Sequence, residues 1–177
     1  MKKIFSFIWD LLKIVVISAA IVIPIRYFLF QPFFVKGESM EPTFESGNYL
    51  IVDEISYRFE SPKRGDVIVF RYPEDPSQRF IKRIIGLPGE TVEIDGGKVI
   101  IYKNGVKRAL DEPYLGSDIL TQGNIRVTLG KDEYFVMGDN RPFSYDSRRF
   151  GVVPRKNIIG RVLLRALPFT IFKAPQY

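Results

Sequence analysis

Residues 91–105, TVEIDGGKVIIYKNG, decide the fold class. Two short runs rich in β-branched residues, Thr91–Ile94 and Val99–Tyr102, are separated by Asp95-Gly96-Gly97 and followed by Asn104-Gly105. Runs of four are too short for helices, and Gly and Asn supply the positive-φ residues that tight hairpin turns require. The pattern predicts hairpins on both sides of Val99–Tyr102. Working outward, Tyr49–Val52, Val67–Tyr72, Phe80–Ile85, Tyr134–Met137 and Ile158–Leu164 have the same character between Gly, Pro and Asp punctuation. Beyond Phe30 no stretch keeps a long 3.6-residue apolar period, so the head reads as mainly β. Its loops are short except around Leu110–Asn124, where an excursion is expected.

The chain has 177 residues, enough for one head with a sizeable core but too few for two full-sized domains plus an anchor. It contains neither cysteine nor histidine. That excludes thiol nucleophiles, disulfides, Ser-His-Asp triads and the usual zinc ligand sets, so hydrolytic chemistry must use hydroxyls, amines or carboxylates. The net charge of +6 is no mark of nucleic-acid binding, because beyond the first thirty residues 22 basic side chains stand against 19 acidic ones. The pairs Lys63-Arg64, Lys107-Arg108 and Arg148-Arg149 are scattered and read as solvated loops or strand ends.

At the amino terminus, Ile14–Ile25 is uncharged but as helix would cover only ~18 Å of a hydrocarbon core about 30 Å thick. Extended over Trp9–Phe30 it reaches ~33 Å if Lys13 and Arg26 snorkel towards opposite headgroup layers, with Trp9, Tyr27 and Phe28 at the interfaces. A buried core helix and a cleavable leader are the rival readings, the latter because Ser18-Ala19-Ala20 has small-x-small character. Cleavage there would fall inside the apolar run, ahead of Ile21-Val22-Ile23, which favours a retained anchor. The expected organisation is a short tail (1–8), a transmembrane anchor (9–30) and a β domain (31–177) with a small excursion within 93–134. Lys2, Lys3 and Lys13 before the span, against Arg26 and Lys36 after it, give the positive-inside rule only a slight preference for a cytoplasmic tail and an extracytoplasmic domain.

Three clusters could carry chemistry. Ser39 lies in GESMEPTF (37–44), with Gly37 two positions before it and Pro42 three after; alone, such a serine is as well explained as a turn residue. Lys82 lies in RFIKRIIGLPGE (79–90). On a strand, Phe80, Lys82 and Ile84 share one face, and burial among apolar neighbours lowers a lysine pKa until the neutral amine becomes a competent base. A lysine snorkelling at a strand edge is the alternative. In GDNRPFSYDSR (138–148), Asp139, Asn140, Arg141, Ser144, Asp146 and Arg148 crowd donors and acceptors together, as in a loop held by its own bonds. On an extended segment Asp146 and Arg148 would face the same way and form a bidentate pair.

Taken together with GDVIVF (65–70), these motifs resemble, in order, the conserved boxes of type I signal peptidases. The resemblance covers most of the chain. It implies a signal-peptidase-like complex β fold of antiparallel sheets behind one transmembrane helix, on the outer face of the bacterial cytoplasmic membrane. It also implies a serine endopeptidase that removes signal peptides from secretory preproteins after small-x-small sequences. By position, Ser39 would be the nucleophile and Lys82 its general base in a Ser-Lys dyad working through an acyl-enzyme. Ser144 would orient Lys82, Asp146 and Arg148 would brace its loop, and Asp139 and Arg83 would support the site. Signal peptides and the lipid bilayer are the implied partners, with no nucleic acid, and no metal or organic cofactor is required. Where some members carry a serine that helps stabilise the oxyanion, this chain has Gly37. Two other readings compete: a self-cleaving Ser-Lys repressor, which would carry a DNA-binding domain where this chain has an apolar segment, and a non-catalytic tethered β module, which would tolerate loss of Ser39 or Lys82.

Overall fold

The computed structural model describes residues 2–24, 30–116, 119–167, 169–172 and 175. In chain order the elements are α1 (Lys2–Pro24), β1 (Phe30–Phe34), β2 (Tyr49–Asp53), α2 (Ser56–Phe59), β3 (Val67–Arg71), β4 (Arg79–Gly86), β5 (Thr91–Asp95), β6 (Lys98–Lys103), β7 (Val106–Ala109) and β8 (Ile125–Thr128). Then come β9 (Glu133–Met137), α3 (Ser147–Phe150), β10 (Val153–Pro154), a 3-10 turn at Arg155–Asn157, β11 (Ile158–Leu167) and β12 (Thr170–Ile171). An eight-stranded sheet runs β1-β2-β11-β3-β4-β9-β10, with β12 on β11, and a four-stranded sheet runs β7-β6-β5-β8. Neighbouring strands are antiparallel throughout.

Strand β3 reads as an unbroken apolar run because both of its faces are covered. Val67 and Val69 point into a cluster with Met40, Phe44, Leu50 and Val52, whereas Ile68 and Phe70 point into another with Ile84, Tyr134 and Val136. A third cluster joins Ile85, Phe135 and Met137 of the large sheet to Val92, Ile94 and Val99 of the small one. The small sheet is thus docked on the large one by side chains of β4 and β9, the strands that flank the site described below. Both expected hairpins form: Asp95 pairs with Lys98 and Lys103 with Val106, leaving Gly96-Gly97 and Asn104-Gly105 as two-residue turns, each with two positive φ angles.

Several expectations need correction. The helix starts at Lys2, so the stretch expected as a tail is helical; neither Gly nor Pro interrupts the sequence before Pro24. At the other end of the expected span, Phe30 is the first residue of β1, opposite Asp53, and residues 25–29 lie outside the described residues. The aromatic residues of β1 favour a strand, and Pro32 is tolerated because β1 ends the sheet order. Among the described residues no helix is long and apolar enough to cross a membrane. The Arg64 and Arg148 members of the basic pairs are not solvated. Arg64 forks onto buried Glu90 at 2.8 and 2.7 Å, and Arg148 engages Asp146.

Candidate active site

Ser39 opens a turn whose neighbours are pulled inward. Met40 and Phe44 are buried in the first core cluster, and the Phe44 N–H closes a bond to the Met40 carbonyl at 2.9 Å. With its neighbour fixed, the half-buried Ser39 side chain lies at the wall of a cleft. Gly37 has φ +92° and open space where a Cβ would be, so its role is backbone conformation rather than close approach.

Lys82 lies on β4 opposite Ile68, on the strand face that also carries Phe80 and Ile84. It is 4% exposed, and its Nζ lies 2.7 Å from Ser39 Oγ and 2.9 Å from the Ile81 carbonyl. Burial lowers its pKa to about 8, while the negative charges of Asp146 and Asp139 hold it back from falling further. An amine so placed exchanges its proton near neutrality, 2.7 Å from a hydroxyl.

The loop 138–146 closes over this pair. Gly138 is where the backbone comes closest: a Cβ there would overlap the Ser39 carbonyl oxygen and Ser144 Oγ. The Asn140 N–H donates to the Ser39 carbonyl at 3.1 Å, and its side-chain amide to the Glu38 carbonyl at 3.0 Å. Ser144 is buried beside Asp146 and helps hold that carboxyl down, yet among the described residues its Oγ makes no hydrogen bond of proper geometry, to Lys82 or to any other group.

Asp146 and Arg148 do form a two-pronged ion pair, both contacts at 2.8 Å, but not on an extended segment. Asp146 caps α3, accepting from the Arg148 N–H at 3.2 Å, and Arg148 folds back from the first turn. Burial pushes the Asp146 carboxyl upward; Arg148, with help from Ser144 and the Gly138 N–H, outweighs it and holds the group below the usual carboxylate range.

Arg83 and Asp139 form a second fork, at 2.8 and 2.5 Å, almost wholly buried. Thr43, from the Ser39 turn, donates to the same carboxylate at 2.6 Å, and the Tyr114 ring packs 3.9 Å from the Arg83 guanidinium. The structure therefore brings Ser39, Lys82, Ser144, Asp146, Arg148, Asp139 and Arg83 into one region. Arg141, read from the sequence only as one of the 138–148 cluster, also belongs to it, with Thr43, Gly138 and the Arg141 partner Glu112, none of which the sequence singles out. Gly138, Arg141 and Thr43 stand inside the quoted motifs, but nothing local marks Glu112, 29 positions from its partner.

The cleft holds about 400 Å³ and is lined by Phe33, Val35, Leu50, Val69 and Ile81 around Ser39 and Lys82. On its β4 side the strand overhangs its neighbour, because the β9 ladder begins only at Arg83 and leaves Arg79–Lys82 without β9 partners. A half-buried hydroxyl 2.7 Å from a buried amine, an apolar groove and a strand segment without β9 partners together suit a hydrolase.

Comparison with known proteins agrees with that class. A family model described as signal peptidase, peptidase S26, matches residues 8–167. Signal peptidase I of Leptolyngbya laminosa is 45% identical over 165 residues, covering 89% of this chain and 78% of that one. Signal peptidase I V of Bacillus subtilis is 38% identical over 173 residues, covering 90% and 96%. A crystal structure of a signal peptidase I from Enterococcus faecalis has a TM-score of 0.49 and 36% identity, over 58% of this chain and 97% of that chain. The chain belongs to the signal peptidase family, peptidase S26. It is an enzyme, a hydrolase of the serine endopeptidase class.

Proposed function

We propose that this protein is a membrane-anchored endopeptidase that removes signal peptides from secretory preproteins by a Ser39–Lys82 dyad. The observation that carries the reading is the 2.7 Å contact between a half-buried hydroxyl and a buried amine whose pKa lies near 8. In the neutral state the amine accepts the Ser39 proton as Oγ attacks the scissile carbonyl. The ammonium then protonates the leaving amine, an acyl-enzyme remains, and a water deprotonated by the same amine hydrolyses it. The Ser39 N–H is one donor available to the oxyanion; position 37, a glycine, offers no side chain for a second.

Substrate would lie extended along Arg79–Lys82 and Phe34–Glu38, adding main-chain bonds to the overhanging edge of β4. A preference for small side chains is what the family resemblance implies; the lining by Leu50, Val69 and Ile81 makes the cleft apolar. Anchoring on the outer face of the bacterial cytoplasmic membrane is supported by α1, whose Phe7, Trp9, Leu11, Ile14 and Val15 are all more than half exposed. Large apolar side chains exposed in such a row are not stable in water by themselves and call for lipid or a partner surface. Asp10 pairs with Lys13 at 3.3 Å, which lessens the cost of burying either charge in lipid. Of the rings near the Ser39 turn, Phe44 belongs to the core and Phe34 is half exposed.

The test is cleavage of a labelled preprotein by the full chain in detergent. Wild type should release the leader, whereas Ser39→Ala, Lys82→Ala and the double variant should be equally silent, since members of one catalytic unit are not additive. Cleavage by Lys82→Ala at neutral pH would rule the dyad out, because no histidine exists to replace the amine.

A further inference from the structure

We infer that Glu112, in the excursion between β7 and β8, is a positioning residue for the Ser39–Lys82 pair, acting through Arg141 and the Gly138 peptide. The inference rests on the dyad reading above. Gly138 is the backbone against which Ser39 leans, and its peptide groups are gripped on both sides. The N–H donates to Asp146 Oδ2 at 3.1 Å, and the carbonyl accepts from Arg141 Nε at 3.0 Å.

Arg141 is 1% exposed, and beyond Gly138 its partners come from the excursion. Its Nη1 donates to Thr121 Oγ1 and to Glu112 Oε2 at 3.2 Å; its Nη2 donates to Glu112 Oε1 and to Tyr114 Oη at 3.4 Å. Glu112 in turn accepts from Tyr114 Oη at 2.6 Å, and the Tyr114 ring covers Arg83, the neighbour of Lys82. The excursion therefore grips both halves of the site, Arg141 behind Ser39 and Arg83 beside Lys82.

A guanidinium cannot discharge by losing its proton, so Arg141 deprived of Glu112 must seek water and draw the Gly138 contact with it. The result is displacement of 138–141 relative to Ser39, not merely a looser surface loop. Misplacement of reacting groups by about 1 Å is enough to cost up to roughly a hundredfold in rate.

The experiment compares wild type, Glu112→Gln and Thr121→Val as full-length chains in detergent, with kcat and KM on a preprotein peptide measured across pH. Glu112→Gln should lower kcat about tenfold or more with KM nearly unchanged. Its acidic limb should move to higher pH as water reaches Lys82. Thr121→Val, which removes one acceptor from Arg141 and leaves no charge unpaired, should show a smaller loss in the same direction. Wild-type kcat and pH limb in both variants, even with lowered melting temperatures, would reduce Glu112 to a structural role and overturn the inference. Should Glu112→Gln fail to fold, Thr121→Val decides alone, a wild-type profile overturning the inference. Ser39→Ala in the same assay separates the two ideas: if it still cleaves, the dyad reading has failed rather than this one.

Discussion

Lys82→Met should make the fold more stable at neutral pH while it abolishes cleavage. The folded pKa of Lys82 lies at about 8, below its ordinary value of 10.5, so between those limits the native state binds fewer protons than the unfolded chain. Stability in the wild type therefore rises as pH climbs from about 8 to about 10.5, and below that window the full penalty of burying an ammonium is in force. A displacement of this size corresponds to about 3 kcal/mol at pH 7, falling to about 1 kcal/mol by pH 10. Methionine fills a similar volume and never charges, at the loss of the Ser39 and Ile81 contacts, roughly 2 kcal/mol together. The variant should exceed wild type by about 1 kcal/mol at pH 7 and fall about 1 kcal/mol below it near pH 10. Paired urea titrations of both chains between pH 7 and 10 measure the difference, in which all other titrating groups cancel. A stability difference that stays constant over that range would refute a depressed lysine pKa. In the active enzyme, kcat/KM should climb with unit slope and level off near the same pKa of about 8.

Gly138→Ala should abolish cleavage while leaving a folded protein of reduced stability, because its Cβ would overlap the Ser39 carbonyl and Ser144 Oγ; kinetics with circular dichroism check both halves. Asp139→Asn leaves the buried Arg83 guanidinium without its carboxylate and should cost about 3–5 kcal/mol in denaturant unfolding. The full chain should stay with membranes through carbonate extraction and keep Met1 on amino-terminal sequencing; release at high pH, or a mature start near Ile21, would refute the anchor.

Local pattern carried the strands whose side chains alternate or run apolar between turn residues, and Val67–Arg71 and Thr91–Lys103 were legible for that reason. Strand β1 was hidden because Phe30 and its neighbours continue the apolar run of the helix, and periodicity alone does not mark where one environment replaces another. Strand β8 has the right alternation, Ile125 and Val127 against Arg126 and Thr128, but half of it is the charged or polar pair Arg126 and Thr128, so its apolar signal is weak beside the excursion that precedes it. At the site, the quoted motifs contain Ser39, Lys82 and both partners of the two ion pairs, but the order of the motifs along the chain marked them; alone, Ser39 reads equally as a turn residue and Lys82 as a strand-edge lysine. What stayed illegible is long-range: Glu112 meeting Arg141 and Tyr114 covering Arg83 depend on where the excursion from the small sheet lies against the large one, and Gly138 touching Ser39 depends on how distant strands of the large sheet are brought together. The Asp146–Arg148 pair was legible as a contact and misread as geometry, because an aspartate ahead of a four-residue helix caps it instead of extending the chain.

The small sheet has a consequence for how this protein could have changed over time. Its outermost strand, β7, is exposed along its whole length and joined to β6 by the two-residue turn Asn104-Gly105, at the far edge of the sheet order. Residues inserted at that tip would lengthen a solvent-facing ribbon without touching Leu110–Asn124, the segment that grips Arg141. The same sheet thus has one margin free to accept new sequence and another fixed by the chemistry. Homologues of different length should differ first at 104–105 and last at Glu112.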